Sequence, residues 1–468
     1  PAPVSLTDFI FSLLNSSPPS ATAAAILDAN TCCRVLYPEL ILLLENLASS
    51  LSAQFGLSKG DCALVFSHNN IYTSILYLSL FSLGVVISPI NPAAKVPEIQ
   101  HQIWLSKLVI AFASSDSAHK LPLLRHGIVN IDSERAVIEV KQSDVTTILY
   151  SSGTTGPVKG VALTHRNWIA YIVGGIRPVR MIQMVGYCTI PLFHAYGVVL
   201  NLRLMTSREC LVITGGNRRF DMRKMNSVIE EYRVSQLALA PPLVITMDGD
   251  AEVMDGYDLS SLEVVIYGGA HLSKSTKERL KNRLPKVQLA QSYELAETTG
   301  RVFVSLGPDE TRIEGATGKL MANCEAKVVD PEIGYVDDEE ATIAVLDREG
   351  WLRTGNLCYI NNQGYLFFVD RIKELIKYKG YQVVAPTELE HLLNCHPDVV
   401  EAAVIPYVPV AFVVRQPGSN IDGYEIKDFV AKQEIRRVIF IDSLPRNASG
   451  KVLRKELVIK LSTPTSKL

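Results

Sequence analysis

The stretch Tyr150-Ser-Ser-Gly-Thr-Thr-Gly-Pro-Val-Lys-Gly-Val-Ala-Leu-Thr-His165 gathers hydroxyl side chains, glycines and one lysine in a short segment. The apolar run Thr147–Tyr150 leads into it and predicts a short buried strand. Glycine lets backbone N–H groups approach an anion closely, and hydroxyl and ammonium groups add further donors. A strand that feeds such a loop predicts a site that grips a polyphosphate, with a Ser- and Gly-rich surface turn as the alternative. The candidate phosphate ligands are Ser151, Ser152, Gly153, Thr154, Thr155 and Lys159.

The spacing of this loop differs from that of a Walker A loop, which places lysine directly after its second glycine and opens a helix. Here Lys159 follows Gly156 by three positions, and a further glycine, Gly160, follows the lysine. The segment therefore predicts a phosphate site of another class.

Composition narrows the class of protein. The chain has 468 residues, with 46 Lys and Arg against 48 Asp and Glu. The net charge of −2 argues against a nucleic-acid partner, and 47% hydrophobic with 20% charged residues is typical of a soluble globular protein. The apolar runs Ile41–Leu44 and Ile75–Phe81 are too short for a membrane span. Eight cysteines without metal-ligand spacing predict reduced, buried thiols.

Strand-like and helical runs alternate through the first part of the chain, which predicts a doubly wound α/β architecture. The predicted helices are Tyr37–Phe55 and Ile71–Leu83. The predicted strands are Cys62–Phe66, Val85–Ile87, Cys210–Ile213, Gln236–Ala240 and Val264–Tyr267.

A smaller α+β region is predicted to begin near Asp370-Arg371. The strand predicted to lead into it is Gly364–Asp370. Its own predicted elements are a helix at Pro386–Leu393 and strands at Val399–Tyr407 and Ala411–Val414. We therefore predict one domain at residues 1–370 and a second at residues 371–468, which is within the usual range of domain sizes.

Further motifs follow the opening loop along the chain. They are Pro191–Gly197, Tyr267–Ala270, Gln291–Gly300, Gly350–Tyr359, Val369–Gln382 and Leu444–Lys455. With the loop, and in this order, they resemble the adenylate-forming superfamily of acyl-CoA synthetases, firefly luciferase and peptide-synthetase adenylation domains. The chain is most similar to the plant 4-coumarate–CoA ligases and their peroxisomal relatives, over nearly its whole length. The resemblance implies an α/β fold with a large N-terminal domain of mixed sheets flanked by helices, and a small, mobile α+β lid.

On the acid side, the resemblance implies that His194 meets the substrate near its carboxylate, as a catalytic residue, and that Tyr196 forms part of the pocket wall. Gly268, Gly269 and Ala270 would lie between the adenine and the acyl group. Read without the resemblance, the histidine is a satisfied core residue, and the glycines form an ordinary turn between a strand and a helix.

On the nucleotide side, the resemblance places Gln291, Ser292, Tyr293 and Ala296 against ATP, with the tyrosine stacked on adenine. Glu297 would hold Mg²⁺, a hard cation that prefers carboxylate and phosphate oxygens.

This nucleotide segment departs from the family pattern three times. Ser292 and Glu294 replace glycines, and Ala296 replaces a threonine. The lost hydroxyl removes a donor from a charged site, at a cost of roughly 1.5–3 kcal/mol. Thr298 and Thr299 are the candidates for a partial substitute.

The remaining family residues lie further along the chain. Asn356 stands where the family has the aspartate that binds both ribose hydroxyls, so the amide predicts a weaker affinity for nucleotide. The other implied roles are nucleotide binding by Arg371, Lys377 and Gln382, a hinge at Asp370 and Lys373, CoA binding by Lys379 and Gly380, and adenylation catalysis by Lys451. Without the resemblance, the basic run reads as a solvated charged face, and the motif match favours the functional reading.

The implied reaction is that of an ATP-dependent acid–CoA ligase that uses ATP, Mg²⁺ and CoA. A carboxylate attacks the α-phosphorus of ATP and gives acyl-AMP and pyrophosphate, after which lid rotation admits the CoA thiol. Cinnamate- or coumarate-type aromatic acids rank ahead of fatty or jasmonate-precursor acids as substrates. The alternative is a catalytically weak relative that acts as a binding or regulatory subunit, which Ala296 and Asn356 favour.

The tripeptide Ser466-Lys467-Leu468 has the form of a peroxisomal import signal, so it predicts the import receptor as a partner and the peroxisome as the location. An incidental polar tail is the alternative. The other expected partners are small molecules, with no nucleic acid and no membrane span. The chain also looks shorter than its relatives after Gly334, near Tyr407 and near Gln433.

Overall fold

A computed structural model of the chain describes residues 4–114, 117–121, 139–151, 159–175, 182–215, 220–249, 254–269, 272, 274–329, 347, 349–378, 382–405, 409–430, 435–446 and 452–462. Several predictions fall outside these ranges and stay predictions: those on Ser152, Gly153, Thr154, Thr155, Ala270, Lys379, Gly380, Lys451, the tripeptide 466–468 and the three shortened places. The backbone is described, but the side chain is not, at Ser151, Lys373, Lys377 and Gln382.

The chain divides into two compact units. The first comprises residues 1–268, 286–302 and 321–324, and the second comprises residues 269–285, 303–320 and 325–468. The predicted α/β class is confirmed, with large sheets and flanking helices in the N-terminal part and a small C-terminal part. The domain boundary predicted at residues 370/371 stays a prediction.

The strands, labelled β1 to β21 in chain order, are Ala24–Asp28, Arg34–Leu36, Cys62–Phe66, Val86–Pro89, Ile110–Ala113, Val145–Ser151, Lys159–Thr164, Val185–Cys188, Cys210–Ile213, Gln236–Leu239, Val264–Gly268, Gln288–Leu295, Gly300–Val304, Gly318–Leu320, Asn356–Ile360, Tyr365–Arg371, Ile376–Tyr378, Gln382–Val384, Val399–Ile405, Val410–Arg415 and Arg437–Phe440. The α-helices, labelled α1 to α13, are Leu6–Ser16, Tyr37–Phe55, Ile71–Ser82, Val96–Ser106, His165–Gly175, Ala195–Thr206, Met222–Glu231, Pro241–Gly249, Lys274–Arg283, Gly307–Glu310, Pro386–Leu393, Gly423–Phe429 and Arg454–Ser462. Short 3-10 helices span Ala118–Lys120, Ala296–Thr298 and Ile372–Glu374.

The first unit contains a five-stranded sheet and a larger sheet. The five-stranded sheet has the order β5-β3-β4-β6-β7, and β6 and β7 form an antiparallel pair. In the larger sheet the order β12-β11-β10-β8-β9-β1 is parallel throughout, and β2 pairs antiparallel with β1. Because parallel strands point the same way, the segments that follow β8, β11 and β12 start from one edge of this sheet, where α/β proteins commonly place ligand sites.

Buried aromatic side chains in the core of the first unit also fix the loops around these strand ends. Trp168 is fully buried on α5, and its Nε1–H donates to the Thr147 hydroxyl of β6 at 3.2 Å. Tyr77 is buried on α3, and its hydroxyl donates to the Leu192 carbonyl at 3.2 Å. A buried hydroxyl or indole N–H is costly without a partner, so each of these rings holds a specific piece of backbone in place.

The second unit combines an antiparallel set of strands with a small α+β layer. Strands β15, β16 and β14 are antiparallel neighbours, and β14 pairs with Phe303 and Val304 at the end of β13. Strands β19, β20 and β21 form a three-stranded sheet, and β17 pairs with β18 as a separate hairpin. Helices α11 and α13 pack on β19 and bury Leu389 and Leu457. This is the α+β organisation that the sequence predicts for the C-terminal part.

All predicted elements are present, but only four have the predicted bounds: Tyr37–Phe55, Cys62–Phe66, Cys210–Ile213 and Pro386–Leu393. The others differ by one or two residues at one or both ends. Helix α3 ends at Ser82 because Leu83 is its C-cap, and the strand predicted at Val85–Ile87 begins one residue later. The prediction of buried thiols is partly wrong. All eight cysteines are free, but three are exposed because they lie in turns outside the sheets: Cys32, Cys33 and Cys395. Within the described ranges, no helix is both long and apolar enough to cross a bilayer.

Candidate active site

The hairpin of β6 and β7 carries the predicted phosphate loop. Ser151, at the end of β6, pairs with Lys159, at the start of β7. The strand that leads into the loop is tied to the core through Thr147, while Lys159 is exposed. The ladder therefore holds the two ends of the loop side by side and leaves the lysine accessible to a ligand.

The 3-10 turn Ala296–Thr298 packs against both strands of this hairpin. It follows directly from β12, and its Glu297 side chain is exposed. The structure thus brings the predicted metal ligand next to the strands that flank the predicted phosphate loop, although the two segments are far apart in sequence.

Neither threonine after Ala296 offers an open replacement for the missing hydroxyl. The Thr298 hydroxyl lies at 3.1 Å from the Leu295 carbonyl oxygen and 3.0 Å from the Gly300 carbonyl oxygen, so its proton serves the turn itself. Thr299 is buried and has a left-handed backbone, with φ of 70°. The expectation that either residue substitutes as a donor gains no support from this geometry.

The carboxyl ends of β11 and β12 meet through buried hydrogen bonds. The Tyr267 hydroxyl donates to Gln291 Oε1 at 3.1 Å, and the Ser292 hydroxyl donates to the Tyr267 carbonyl at 3.3 Å. A Cβ atom on Gly268 would stand 2.6 Å from Ser292 Oγ and 3.2 Å from Glu294 Oε1, so any larger residue would force these side chains to shift. Gln291 and Ser292 are buried, and both side chains help to join the two strands.

The loop that leads into α6 is held from several sides. Asn69 Oδ1 accepts a hydrogen bond from the Leu192 N–H at 2.7 Å, and Tyr77 binds the carbonyl of the same residue. A Cβ atom on Gly197 would stand only 2.1 Å from the Pro191 carbonyl oxygen. Glycine is therefore needed for the helix to turn back tightly over the loop.

His194 precedes the first residue of α6 and caps that helix. Its Nδ1 accepts a hydrogen bond from the Tyr196 N–H at 3.3 Å. Burial lowers the pKa of His194 below its ordinary value, because the interior disfavours the imidazolium ion. Since Nδ1 is an acceptor, the neutral ring carries its proton on Nε2. His194 can therefore offer an Nε2–H donor to an oxygen atom of a bound acid.

Four polar side chains form a further cluster at the start of α6, to which the sequence assigns no common role. We call it the Arg301 cluster, and its members are Tyr171, Tyr196, Glu294 and Arg301. The Arg301 guanidinium carbon lies 6.0 Å from the centroid of the Tyr196 ring. Tyr171 and Glu294 interact electrostatically with the same guanidinium. Burial raises the pKa of Glu294 to about 7, although the positive charge of Arg301 opposes the shift. A charged residue inside the apolar strand β13 was the signal that could have revealed this cluster.

In the second unit, Asn356 and Arg371 are direct partners on the antiparallel strands β15 and β16. Directly opposite residues of such a pair present their side chains on the same face of the sheet. The Arg371 side chain also lies 3.5 Å from Glu374 Oε1. The structure therefore brings together two residues that were predicted separately for nucleotide binding.

Asp370 is buried and both of its oxygens are engaged. Oδ1 accepts from the Arg371 N–H at 2.7 Å, and Oδ2 accepts from the Thr387 N–H in the first turn of α11 at 2.9 Å. Asp370 thus fastens the end of β16 to the start of that helix. The hinge role predicted for Asp370 and Lys373 stays a prediction.

Lys377 and Gln382 lie on the β17–β18 hairpin, where Lys377 pairs with Val383 and Tyr378 pairs with Gln382. The two predicted nucleotide ligands are therefore near neighbours along one short ladder.

Comparison with known proteins decides the family. Residues 16–345 match the AMP-binding enzyme family, and residues 388–451 match the AMP-binding enzyme C-terminal domain. The chain belongs to the AMP-binding enzymes. The predicted adenylate-forming family and the predicted enzyme class, an AMP-forming acyl-CoA synthetase, are thereby confirmed.

Relatives and solved structures agree with this membership. The 4-coumarate–CoA ligase-like 5 protein of Oryza sativa subsp. japonica is 42% identical over 509 residues, which cover 100% of this chain and 92% of the relative. The peroxisomal OPC-8:0-CoA ligase 1 of Arabidopsis thaliana is 39% identical over 511 residues, which cover 95% and 91%. The anthranilate CoA ligase AuaEII in complex with anthranoyl-AMP has a TM-score of 0.83 at 20% identity, over 98% of each chain. ATP-bound MatB from Rhodopseudomonas palustris has a TM-score of 0.82 at 23% identity, over 98% of this chain and 99% of its own.

The alignment with the rice protein runs over 509 positions and covers all 468 residues of this AMP-binding enzyme. The relative therefore carries segments that this chain lacks, in keeping with the expectation that the chain is shorter than its relatives.

The residues of this AMP-binding enzyme suit a magnesium ion held mainly by its substrate. Among the described residues, no group of three or more His, Cys, Asp or Glu side chains forms a protein-only metal site. Glu297 supplies one exposed carboxylate beside the phosphate-loop strands. Mg²⁺ is commonly held by one or two carboxylates together with substrate phosphates, so this donor set fits the ion.

Proposed function

We propose that this AMP-binding enzyme is an ATP-dependent acid–CoA ligase that forms an acyl-AMP and then an acyl-CoA thioester. Its proposed substrates are aromatic acids of the cinnamate or coumarate type. The observation that carries the proposal is the packing of the Ala296–Thr298 turn against β6 and β7. It brings the turn that carries Glu297 to the strands that flank the predicted phosphate loop, one of which starts at the exposed Lys159. The 4-coumarate–CoA ligase-like relatives support the same reading.

In the first half-reaction, the acid carboxylate attacks the α-phosphorus of ATP and pyrophosphate leaves. His194 is well suited to orient that carboxylate, since its neutral ring offers Nε2–H and its other nitrogen is held by the helix that it caps. Such a fixed donor acts mainly by positioning, which is a large part of catalysis in phosphoryl chemistry.

The phosphate groups are assigned to the loop between β6 and β7. Lys159 would neutralise phosphate charge, and Glu297 would hold Mg²⁺, which supplies further charge neutralisation when it is bound. Asn356 and Arg371 are assigned to the ribose and the phosphate, and Lys451 to the carboxylate and α-phosphate during adenylation. In the second half-reaction, the CoA thiol attacks the acyl-AMP after the lid has turned about Asp370 and Lys373, and AMP leaves.

Fatty or jasmonate-precursor acids are the second substrate class. One relative that covers nearly all of this chain bears the name peroxisomal OPC-8:0-CoA ligase 1. The same relative supports a peroxisomal location, with Ser466-Lys467-Leu468 as the segment read by the import receptor. A fluorescent protein that ends in this tripeptide should enter peroxisomes, and one that ends in Ser-Lys-Ala should stay outside.

A catalytically weak relative with a binding or regulatory role is the other candidate. Ala296 favours it, because the Thr298 hydroxyl is engaged within its own turn and leaves the missing donor unreplaced. Asn356 favours it too, since an amide binds two ribose hydroxyls less strongly than a carboxylate does.

Pyrophosphate release across matched aromatic and fatty acids tests the proposal. We expect ATP-dependent release with at least one acid, a CoA thioester when CoA is added, and loss of both products in Lys451→Ala. Lys281→Ala, an exposed lysine on α9, is the matched control and should retain activity.

Folded protein that releases no pyrophosphate with any acid, yet binds ATP in calorimetry, would contradict the ligase and support the binding role. In that case Ala296→Thr should leave the protein inactive. If the ligase is merely slowed, Ala296→Thr should raise turnover by about tenfold, the effect of one charge-assisted hydrogen bond, and Ala93→Thr in an exposed turn should not.

A further inference from the structure

The Arg301 cluster combines several buried polar atoms that have no hydrogen-bond partner in the part of the chain that the structure describes. Arg301 is 4% exposed and Tyr196 is 5% exposed. Four buried atoms of Arg301, Tyr196 and Glu294 have no hydrogen-bond partner among the described residues. They are Arg301 Nε, Arg301 Nη2, Tyr196 Oη and Glu294 Oε2. Each buried donor or acceptor without a partner costs about 1–3 kcal/mol, so this concentration in neighbouring, electrostatically interacting side chains indicates a site that a ligand completes.

The arginine presents one whole edge to that ligand. Nε and Nη2 are the two nitrogens of the side-on edge of a guanidinium, which matches two oxygen atoms in parallel. The rest of the group is restrained, because the guanidinium lies over the Tyr196 ring and interacts electrostatically with Tyr171. A Cβ atom on the neighbouring Gly300 would stand 2.9 Å from the Tyr171 ring, so that ring is closely packed on the strand. The free edge is therefore oriented before any ligand binds.

The cluster sits between the two segments assigned to the acid. Tyr196 belongs to α6, which starts directly after His194, and Glu294 Oε1 lies next to Gly268 at the end of β11. A plain hydrocarbon in this place would leave all four atoms unsatisfied. An oxygen atom on the body of the acid would accept from Arg301, and a hydroxyl group there would also donate to Glu294.

We infer that Arg301 is a specificity-determining residue that selects carboxylic acids bearing a second oxygen function, such as a hydroxyl, an oxo group or a second carboxylate, over plain hydrocarbon acids of equal length. The inference rests on the proposed function, since it concerns the acid of the proposed adenylation. It assigns Arg301 to the oxygen on the body of the acid and leaves the reacting carboxylate to His194.

Matched pairs of acids provide the test. Cinnamate is compared with 4-hydroxycinnamate, and octanoate with 8-hydroxyoctanoate and octanedioate, by kcat/KM for pyrophosphate release. The intact enzyme should prefer the oxygenated member by about tenfold or more, as expected for a hydrogen bond to a charged group. Arg301→Met should remove most of that preference, and Arg301→Lys should keep part of it. The octanedioate arm separates recognition of an anion from recognition of a hydroxyl.

Two controls separate selectivity from damage to the fold. Arg223→Met changes an exposed arginine on α7 and should leave every ratio unchanged. Tyr196→Phe removes one unsatisfied hydroxyl with almost no change in volume, so it tests the cluster even if Arg301→Met does not fold. Thermal melting and circular dichroism report the folding of each variant.

Equal loss of kcat/KM on every acid in Arg301→Met would overturn the inference, because it would assign the arginine to the reacting carboxylate or to the fold. Unchanged ratios in both Arg301→Met and Tyr196→Phe would overturn it as well, while the ligase function would stand. If no acid gives pyrophosphate, the ligase fails by itself. In that case the affinity of each acid is measured by calorimetry for the intact protein and for Arg301→Met. The ratio of affinities between the oxygenated and the plain acid then decides the inference in place of the kcat/KM ratio.

Discussion

Asn356 and Arg371 stand directly opposite each other on the antiparallel strands β15 and β16. A carboxylate at residue 356 would face a guanidinium on the same side of the sheet and would accept two hydrogen bonds from ribose. We expect Asn356→Asp to lower the KM for ATP by about tenfold, the worth of one added charge-assisted bond. Steady-state kinetics with varied ATP measure it. Asn362→Asp, in the exposed turn after β15, is the control, and an equal change in both variants would refute the assignment of Asn356 to the nucleotide.

Gly197→Ala should damage the start of α6. Its Cβ atom would approach the Pro191 carbonyl oxygen to 2.1 Å, and that oxygen belongs to backbone that cannot swing aside. We expect a loss of about 1–3 kcal/mol in unfolding free energy, and a higher KM for the acid because His194 caps the same helix. Gly256→Ala is the matched control, since nothing lies within 4 Å of the added methyl group. Equal melting temperatures for the two variants would contradict the prediction.

His165 should make the protein less stable in mild acid. Burial lowers its pKa from 6.5 to about 4, and its Nδ1 accepts from the Leu6 N–H at 2.9 Å. The unfolded chain binds the proton more readily than the folded protein does. The contribution of neutral His165 to the unfolding free energy is therefore fully present above pH 6.5 and is lost as the pH falls towards 4. The total loss is about 3 kcal/mol. Denaturant unfolding at several pH values measures the slope. His165→Gln keeps an acceptor without titrating and should show a shallower slope in this window. Parallel curves for the two proteins would rule out His165 as the cause.

Arg454 should be a main support of the C-terminal α+β layer. Its guanidinium lies 2.8 Å from Glu374 Oε2 and 2.7 Å from Glu390 Oε1, and it also donates to the Val404 carbonyl. Removing one partner from a largely buried ion pair leaves the carboxylates uncompensated, so Arg454→Met should cost about 3 kcal/mol. Arg312→Met, with a side chain 71% exposed, should cost little. Hydrogen exchange across β19 locates the effect, and unchanged protection there would count against it.

Sequence reasoning succeeds where local chemistry sets the outcome. Helix α2 has Pro38 in its first turn and is followed by Gly56, a left-handed C-cap, and both of its predicted bounds are correct. Helix α11 has Pro386 at its start and is also correctly bounded. The order of the motifs along the chain is equally informative about the family, because it is the same order in which the family carries them.

Sequence reasoning fails where distant segments meet. Nothing in the chain order shows that the turn at Glu297 packs on β6 and β7, since sheet order and register arise from long-range pairing. The sequence shows Glu294 only as a replacement of a family glycine, and it assigns no role to Arg301. The burial of Arg301 beside Tyr196 and its interaction with Glu294 suggest a common role, and this arrangement is visible only in three dimensions.

The Arg301 cluster also restricts the mutational paths that are open to this protein. A change of Glu294 to glycine alone would remove a carboxylate that interacts with the buried arginine, and a change of Arg301 alone would remove the positive charge that opposes the raised pKa of Glu294. Each single step carries a penalty that the second step removes. Residues 294 and 301 should therefore change together among descendants of this chain, and a library that varies both at once should recover folded variants that one-residue scans miss.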